Sequence, residues 1–247
     1  MSGTTVAERS DARARSGPSG RSGADATASA VGSDELSMPA RIQRGLESLY
    51  RLDHAGAVDG FLIAEEERAR EELARRPREQ LLLRQEGDEV ALGLFLAPDA
   101  LANLDRHDPG VGLHDANFND FCLVVEGVSH FIYVVRCAAA DRPVSALELE
   151  LQAEVDKFAC CTLLDPRPDR VRTLTRQLYE FVAYHDDLDA DERDRYRVAN
   201  DNAQRFARSL SKRFVETGRV EGMLPELRAF YRLDLAGKRA HIARLAA

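Results

Sequence analysis

Residues 1 to about 36 are mostly Ser, Gly, Ala, Thr and Arg, with almost no large apolar side chain. Ordering a backbone costs about 1–2 kcal/mol per residue, and a segment with nothing to bury cannot offset that cost, so a disordered tail is expected. From Ser37 the pattern changes. Ile42, Leu46 and Leu49 recur at i, i+4 and i+7 on one helix face. Ser37 is placed to cap that helix, Pro39 falls in its first turn and Gly56 is its stop. Residues 58–63 read as a short strand, and the charged run 65–78 as helix or loop ending at Pro77. Two apolar-rich runs, 80–85 and 90–96, flank Glu86-Gly87-Asp88-Glu89, which predicts a β-hairpin closed by Pro98-Asp99.

From Asn117 onward the period is helical. A long apolar helix is expected over 117–139. A second starts at Pro143 and Ser145, where Ser145 and Glu148 have capping-box spacing, and runs to about 164. Asp169 would cap a third over 170–184. Asp189 and Glu192 open a fourth that reaches about 217 and closes at Gly218, and two shorter helices lie near 224–231 and 238–245. The expected fold is mainly α (α+β): a bundle of about six helices with a small antiparallel hairpin near its start. Its parts are a tail (1–36), a helix-plus-hairpin region (37–115) and a helical bundle (116–247), the last two packed as one domain.

Composition adds compartment and class. The chain has 247 residues, 44% hydrophobic and 31% charged, an ordinary globular balance that excludes a wholly disordered protein. The longest apolar stretch, 121–137, is interrupted by Glu126, Ser129, His130 and Arg136, so it is not expected to enter a membrane. Cys122, Cys137, Cys160 and Cys161 form no CxxC pair, and no apolar segment of a secretory signal follows Met1, which together point to the cytoplasm. Only Lys157, Lys212 and Lys238 are lysine among 34 basic residues, a bias suggesting a GC-rich bacterial genome.

Charge is unevenly spread. Residues 59–167 carry 11 basic and 22 acidic side chains, residues 168–247 carry 16 and 13, and the whole chain is at −8. From Arg205 on, ten cations face four carboxylates, with Arg205, Arg208 and Lys212 on one helix side. Such a side suits nucleic acid or an anionic surface, although a solvated face is the plainer reading and the net charge makes nucleic acid an unexpected partner.

Candidate chemistry concentrates on the central helical hairpin. Glu126 and His130 are i, i+4 on the first helix, near Asn119 and Tyr133, and Glu150 and Glu154 are i, i+4 on the second. The short connection 141–144 makes the helices antiparallel, so Glu126, His130, Glu150 and Glu154 are expected to converge. The cluster has three readings: a divalent-metal site, an acid–base site tuned on His130, or a hydrogen-bonded buried network. Its Glu-x-x-x-His spacing occurs once and departs from the paired Glu-x-x-His of di-iron bundles. The acidic run from His185 to Glu192 fails the calcium-loop pattern, and Cys160-Cys161 reads as core packing. Phosphate loops, GxSxG, HExxH and zinc-ribbon spacings do not occur.

One internal echo stands out. Leu49-Tyr-Arg-Leu-Asp-His-Ala-Gly56 and Phe230-Tyr-Arg-Leu-Asp-Leu-Ala-Gly237 agree at six of eight positions. Chance similarity of two helix ends is the plainer reading, and binding to a similar groove within the molecule and in a partner is the other. Together these features favour a non-catalytic interaction or regulatory protein with a protein partner and a possible homo-oligomer. No cofactor is expected; a divalent metal remains open, and with it a metal-dependent enzyme. Weak nucleic-acid binding is the third possibility.

Overall fold

The computed structural model describes residues 36–54, 56–70, 76–86, 89–180 and 189–245. The tail (save residue 36), the hairpin tip Gly87-Asp88, and His185, Asp186 and Asp187 lie outside these residues. The helices are α1 (Met38–Tyr50), α2 (Glu65–Arg68), α3 (Pro98–Arg106), α4 (Phe118–Ala139), α5 (Ala146–Leu164), α6 (Pro168–Tyr179), α7 (Ala190–Leu210), α8 (Met223–Tyr231) and α9 (Leu235–Leu245). Strands β1 (Glu79–Glu86) and β2 (Glu89–Leu96) pair antiparallel, from Glu79 opposite Leu96 to Glu86 opposite Glu89. The fold is mainly α with one hairpin near its start, as the pattern predicts.

Caps explain several of the boundaries. Ser37 Oγ accepts from Ala40 N at 3.1 Å, and α1 ends where Arg51 turns left-handed at φ +52°. Asp189 and Glu192 form a reciprocal capping box, with bonds of 2.7 and 3.1 Å, at the start of α7. Ser145 Oγ accepts from Glu148 N at 3.3 Å, but the Glu148 carboxylate turns to Tyr133 and Arg142 instead of completing a box.

Four segments differ from expectation. Residues 58–61 are a single 3-10 turn, because Asp59-Gly60 is a turn pair and only Leu62 bridges β2, at Leu94. Pro98 opens α3 rather than merely ending β2, since proline fits the first helical turn, where no N–H bond is lost. Arg167 rather than Asp169 caps α6, with Pro168 again inside the first turn. After Leu210 the helix widens into a π-turn over Ser211–Val215, where Glu216 N reaches Ser211 O at 2.9 Å, before Gly218 turns the chain at φ +68°.

α4 is the centre of the molecule. It packs against α1, α3, α5, β1 and β2, and one buried cluster of side chains runs from Met38 to Ile242. By length and composition α4 is apolar enough to cross a membrane, which the sequence reading did not anticipate because it stopped at each polar position; 83% of the qualifying window is buried within the fold. α5 returns antiparallel along α4, and α7 covers its other side.

The echoed octapeptides end α1 and α8, which pack on each other. Arg232 Nη2 donates to Tyr50 O at 3.0 Å and Arg228 Nε donates to Leu49 O at 2.6 Å, so α8 supplies partners for carbonyls at the end of α1.

Candidate functional site

The antiparallel pairing of α4 and α5 brings the four sequence-predicted residues into one buried cluster. His130 Nε2 lies 3.8 Å from Glu150 Oε2, and its Nδ1 lies 3.6 Å from Glu79 Oε1 on β1. Glu126 and Glu154 meet through Lys157, whose Nζ donates to them at 2.9 and 2.8 Å. Tyr179 Oη donates to the Glu154 carbonyl at 2.9 Å and covers that end. Sequence reasoning missed Glu79 and Lys157. Lys157 had a signal, as a rare lysine three residues after Glu154; Glu79 had none, because it arrives from a strand distant in sequence.

Electrostatics follow from the count of charges. Four carboxylates, the buried Glu79, Glu126 and Glu150 and the partly buried Glu154, face His130 and Lys157. Burial would depress the imidazole, but Glu79, Glu150 and Glu126 together outweigh it and hold His130 at about 9. Burial, with Glu126 and Glu79 adding to it against His130, pushes Glu150 up to about 8. Glu154 is raised by the same burial, and Lys157, despite burial, is raised by Glu126 and Glu154. The cation between Glu126 and Glu154 is thus the Lys157 ammonium. Among the described residues no group of three or more His, Cys, Asp and Glu side chains is arranged to hold a metal ion.

A second buried network lies on the other side of α5. Tyr50 Oη donates to Asp156, which also accepts from Ser129 Oγ at 2.6 Å and Gln152 Nε2 at 2.8 Å. Lys238, from α9, is fully buried and donates to Gln152 Oε1 and Tyr133 Oη, both at 2.7 Å. Tyr133 Oη donates to Glu148 at 2.7 Å, and Arg142 closes the outer end with a 2.8 Å bond to the same carboxylate. Burial depresses Lys238 to about 7, against the pull of Glu148 and Asp156. Burial raises Asp156 to about 6, although Ser129, Tyr50 and Gln152 stabilise its anion.

Arg205, Arg208 and Lys212 do share a surface. They line a groove between α7 with its π-turn and α9, together with Arg213 and Arg219. A neighbouring depression shares Arg205 and Ile242 and adds Arg239. Arg208 pairs with Glu180 at 3.1 Å and Arg213 with Glu226 at 3.2 Å. Arg205, Lys212, Arg219 and Arg239 are exposed and meet no carboxylate among the described residues. Sequence reasoning missed Arg219, which reaches the groove where Gly218 turns the chain, and Arg239, which lines the neighbouring depression from α9.

A third depression, lined by Met38, Ile42, Phe121, Cys160, Leu163 and Leu164, is apolar. Burial pushes the Cys160 thiol far above its ordinary range, so its sulfur packs as a hydrophobe. Compared with protein-family models, curated proteins and solved structures, the chain matches none.

Proposed function

We propose that this chain is a non-catalytic interaction protein that holds an anionic partner in the groove between α7 and α9. One observation carries the reading: Arg205, Lys212 and Arg219 line that groove, and Arg239 the depression beside it, without carboxylate partners among the described residues. Exposed cations on one wall repel each other, and an anionic ligand relieves that repulsion. The groups an enzyme would use for proton transfer, His130, Glu150, Asp156 and Lys238, are buried and engaged with one another. They support the bundle that holds the groove's walls.

The test is fluorescence anisotropy with labelled poly-glutamate at low salt and at about 0.15 M, where the Debye length is about 8 Å. Binding is expected to weaken with salt and to fall at least about tenfold, or ~1.4 kcal/mol, in Arg205→Glu/Lys212→Glu. Undiminished binding by that variant, or none by the parent, overturns the reading.

A further inference from the structure

The groove is not only basic, and its floor narrows the class of partner. Leu245 on α9, one turn after the buried Ile242, and Phe214 from the π-turn are half-buried apolar side chains on that floor. Phe214 is held in place: a Cβ on Gly222 would sit 2.9 Å from its ring, so the ring rests against bare backbone. Lys212, Arg213 and Phe214 come from one turn, which puts charge and apolar contact side by side. Resting on the anion-binding reading above, the geometry points to an acidic polypeptide segment with apolar anchors as the occupant. Its carboxylates meet Arg205, Lys212 and Arg219, with Arg239 flanking, and its apolar side chains cover the half-buried Phe214 and Leu245.

Three observations favour a peptide over nucleic acid. Single-stranded nucleic acid is held by bases stacked on free aromatic faces. Among the described residues Phe214 is the one aromatic side chain lining this groove, and the Arg213 guanidinium already lies 4.8 Å over its ring. A long polyanion also feels the net −8 of the whole chain, whereas a short acidic segment feels mainly the local cations. Finally, guanidinium forks take carboxylates and phosphates alike, but the apolar side chains beside them offer a peptide's apolar anchors the burial that surface ion pairs lack. From Asn202 to Thr217 the wall runs roughly 22 Å at helical rise, the length of a four-turn helix or about seven extended residues.

Three labelled probes test this against the full chain at about 0.15 M salt. The first is a Glu-rich peptide of four helical turns with Leu on one face, the second the same peptide with each Leu replaced by Ser, and the third a single-stranded DNA oligomer of equal charge. The Leu peptide is expected to bind at least about tenfold more tightly than either of the others. Leu245→Ser is expected to remove most of that advantage, and Lys212→Glu to weaken both peptides alike. Equal binding of the two peptides, or tighter binding of the DNA, overturns the peptide inference and leaves anion binding standing. Binding of none overturns both.

Discussion

The ring of Tyr50 lies on the ring of Tyr231, centroids 4.0 Å apart and planes 22° from parallel, and the two hold the same place in the echoed octapeptides. One octapeptide end therefore packs on the other, and each tyrosine has a different use for its hydroxyl. Tyr50 Oη donates to Asp156, while Tyr231 Oη makes no hydrogen bond among the described residues. Tyr231→Ala opens a cavity under both rings and is expected to cost about 3–5 kcal/mol. Tyr231→Phe should change stability by less than about 1 kcal/mol, whereas Tyr50→Phe strips a donor from buried Asp156 and should cost about 1–3 kcal/mol. Urea denaturation of the three variants checks the order.

Lys157 is the counter-charge for the buried Glu126 and the partly buried Glu154, and removing it should be costlier than removing all three groups. Lys157→Met leaves Glu126 and Glu154 facing each other and is expected to lose about 3–5 kcal/mol. Adding Glu126→Gln and Glu154→Gln to that variant should restore much of the loss. A triple variant no more stable than the single one would show that packing, not charge, sets the cost.

His130 gains a proton partner on folding, so the sign of its pH effect is fixed. Its folded value of about 9 lies above the unfolded value of about 6.5. The stability it contributes is full below about 6.5 and is lost as pH rises through about 9. The melting-temperature gap between the parent and His130→Gln should therefore be widest at acidic pH and shrink on the alkaline side. Added zinc or manganese should shift neither protein, because the gap between Glu126 and Glu154 holds Lys157; a metal-dependent rise confined to the parent would contradict this.

Lys238 runs the other way in an overlapping window. Its folded value of about 7 lies below the unfolded value of about 10.4, so between those limits the unfolded chain carries the extra proton and stability rises with pH. Lys238→Met takes up no such proton. The parent should gain several degrees of melting temperature relative to Lys238→Met between pH about 6 and 10. A constant difference would place the buried ammonium in contact with water.

These charges mark where the sequence stops being informative. A helix that buries one stripe repeats that stripe every few residues, so α1, α4, α5 and α7 are legible, and the short connection after Ala140 makes Glu126 and His130 face Glu150 and Glu154. Glu79 and Lys238 reach the two networks from a strand and a terminal helix, and nothing local to either residue encodes that meeting. Pro98 reads as the end of a strand but starts a helix, as Pro168 does for α6, because the missing N–H is harmless in a first turn. The Asp59-Gly60 turn overrode the strand-like apolar residues around it.

Gly127 tests how the hairpin is seated on α4. A Cβ there would lie 2.8 Å from Leu96 Cδ2 and 2.9 Å from Glu79 Cγ, the two residues paired at the open end of the hairpin. In a helix, Gly→Ala ordinarily gains about 1 kcal/mol. Here both neighbours are buried, so neither side chain can swing away, and overpacking costs about 1–3 kcal/mol. Gly127→Ala is expected to be destabilising on balance. Because Glu79 is also the carboxylate facing His130 Nδ1, pushing it aside should shrink the alkaline loss of stability described for His130. Gly45→Ala, on α1 with nothing within 4 Å of the new methyl, provides the contrast and should stabilise by up to about 1 kcal/mol. If both variants gain alike, α4 and the hairpin are not in close contact at Gly127, and the imidazole loses its partner on β1.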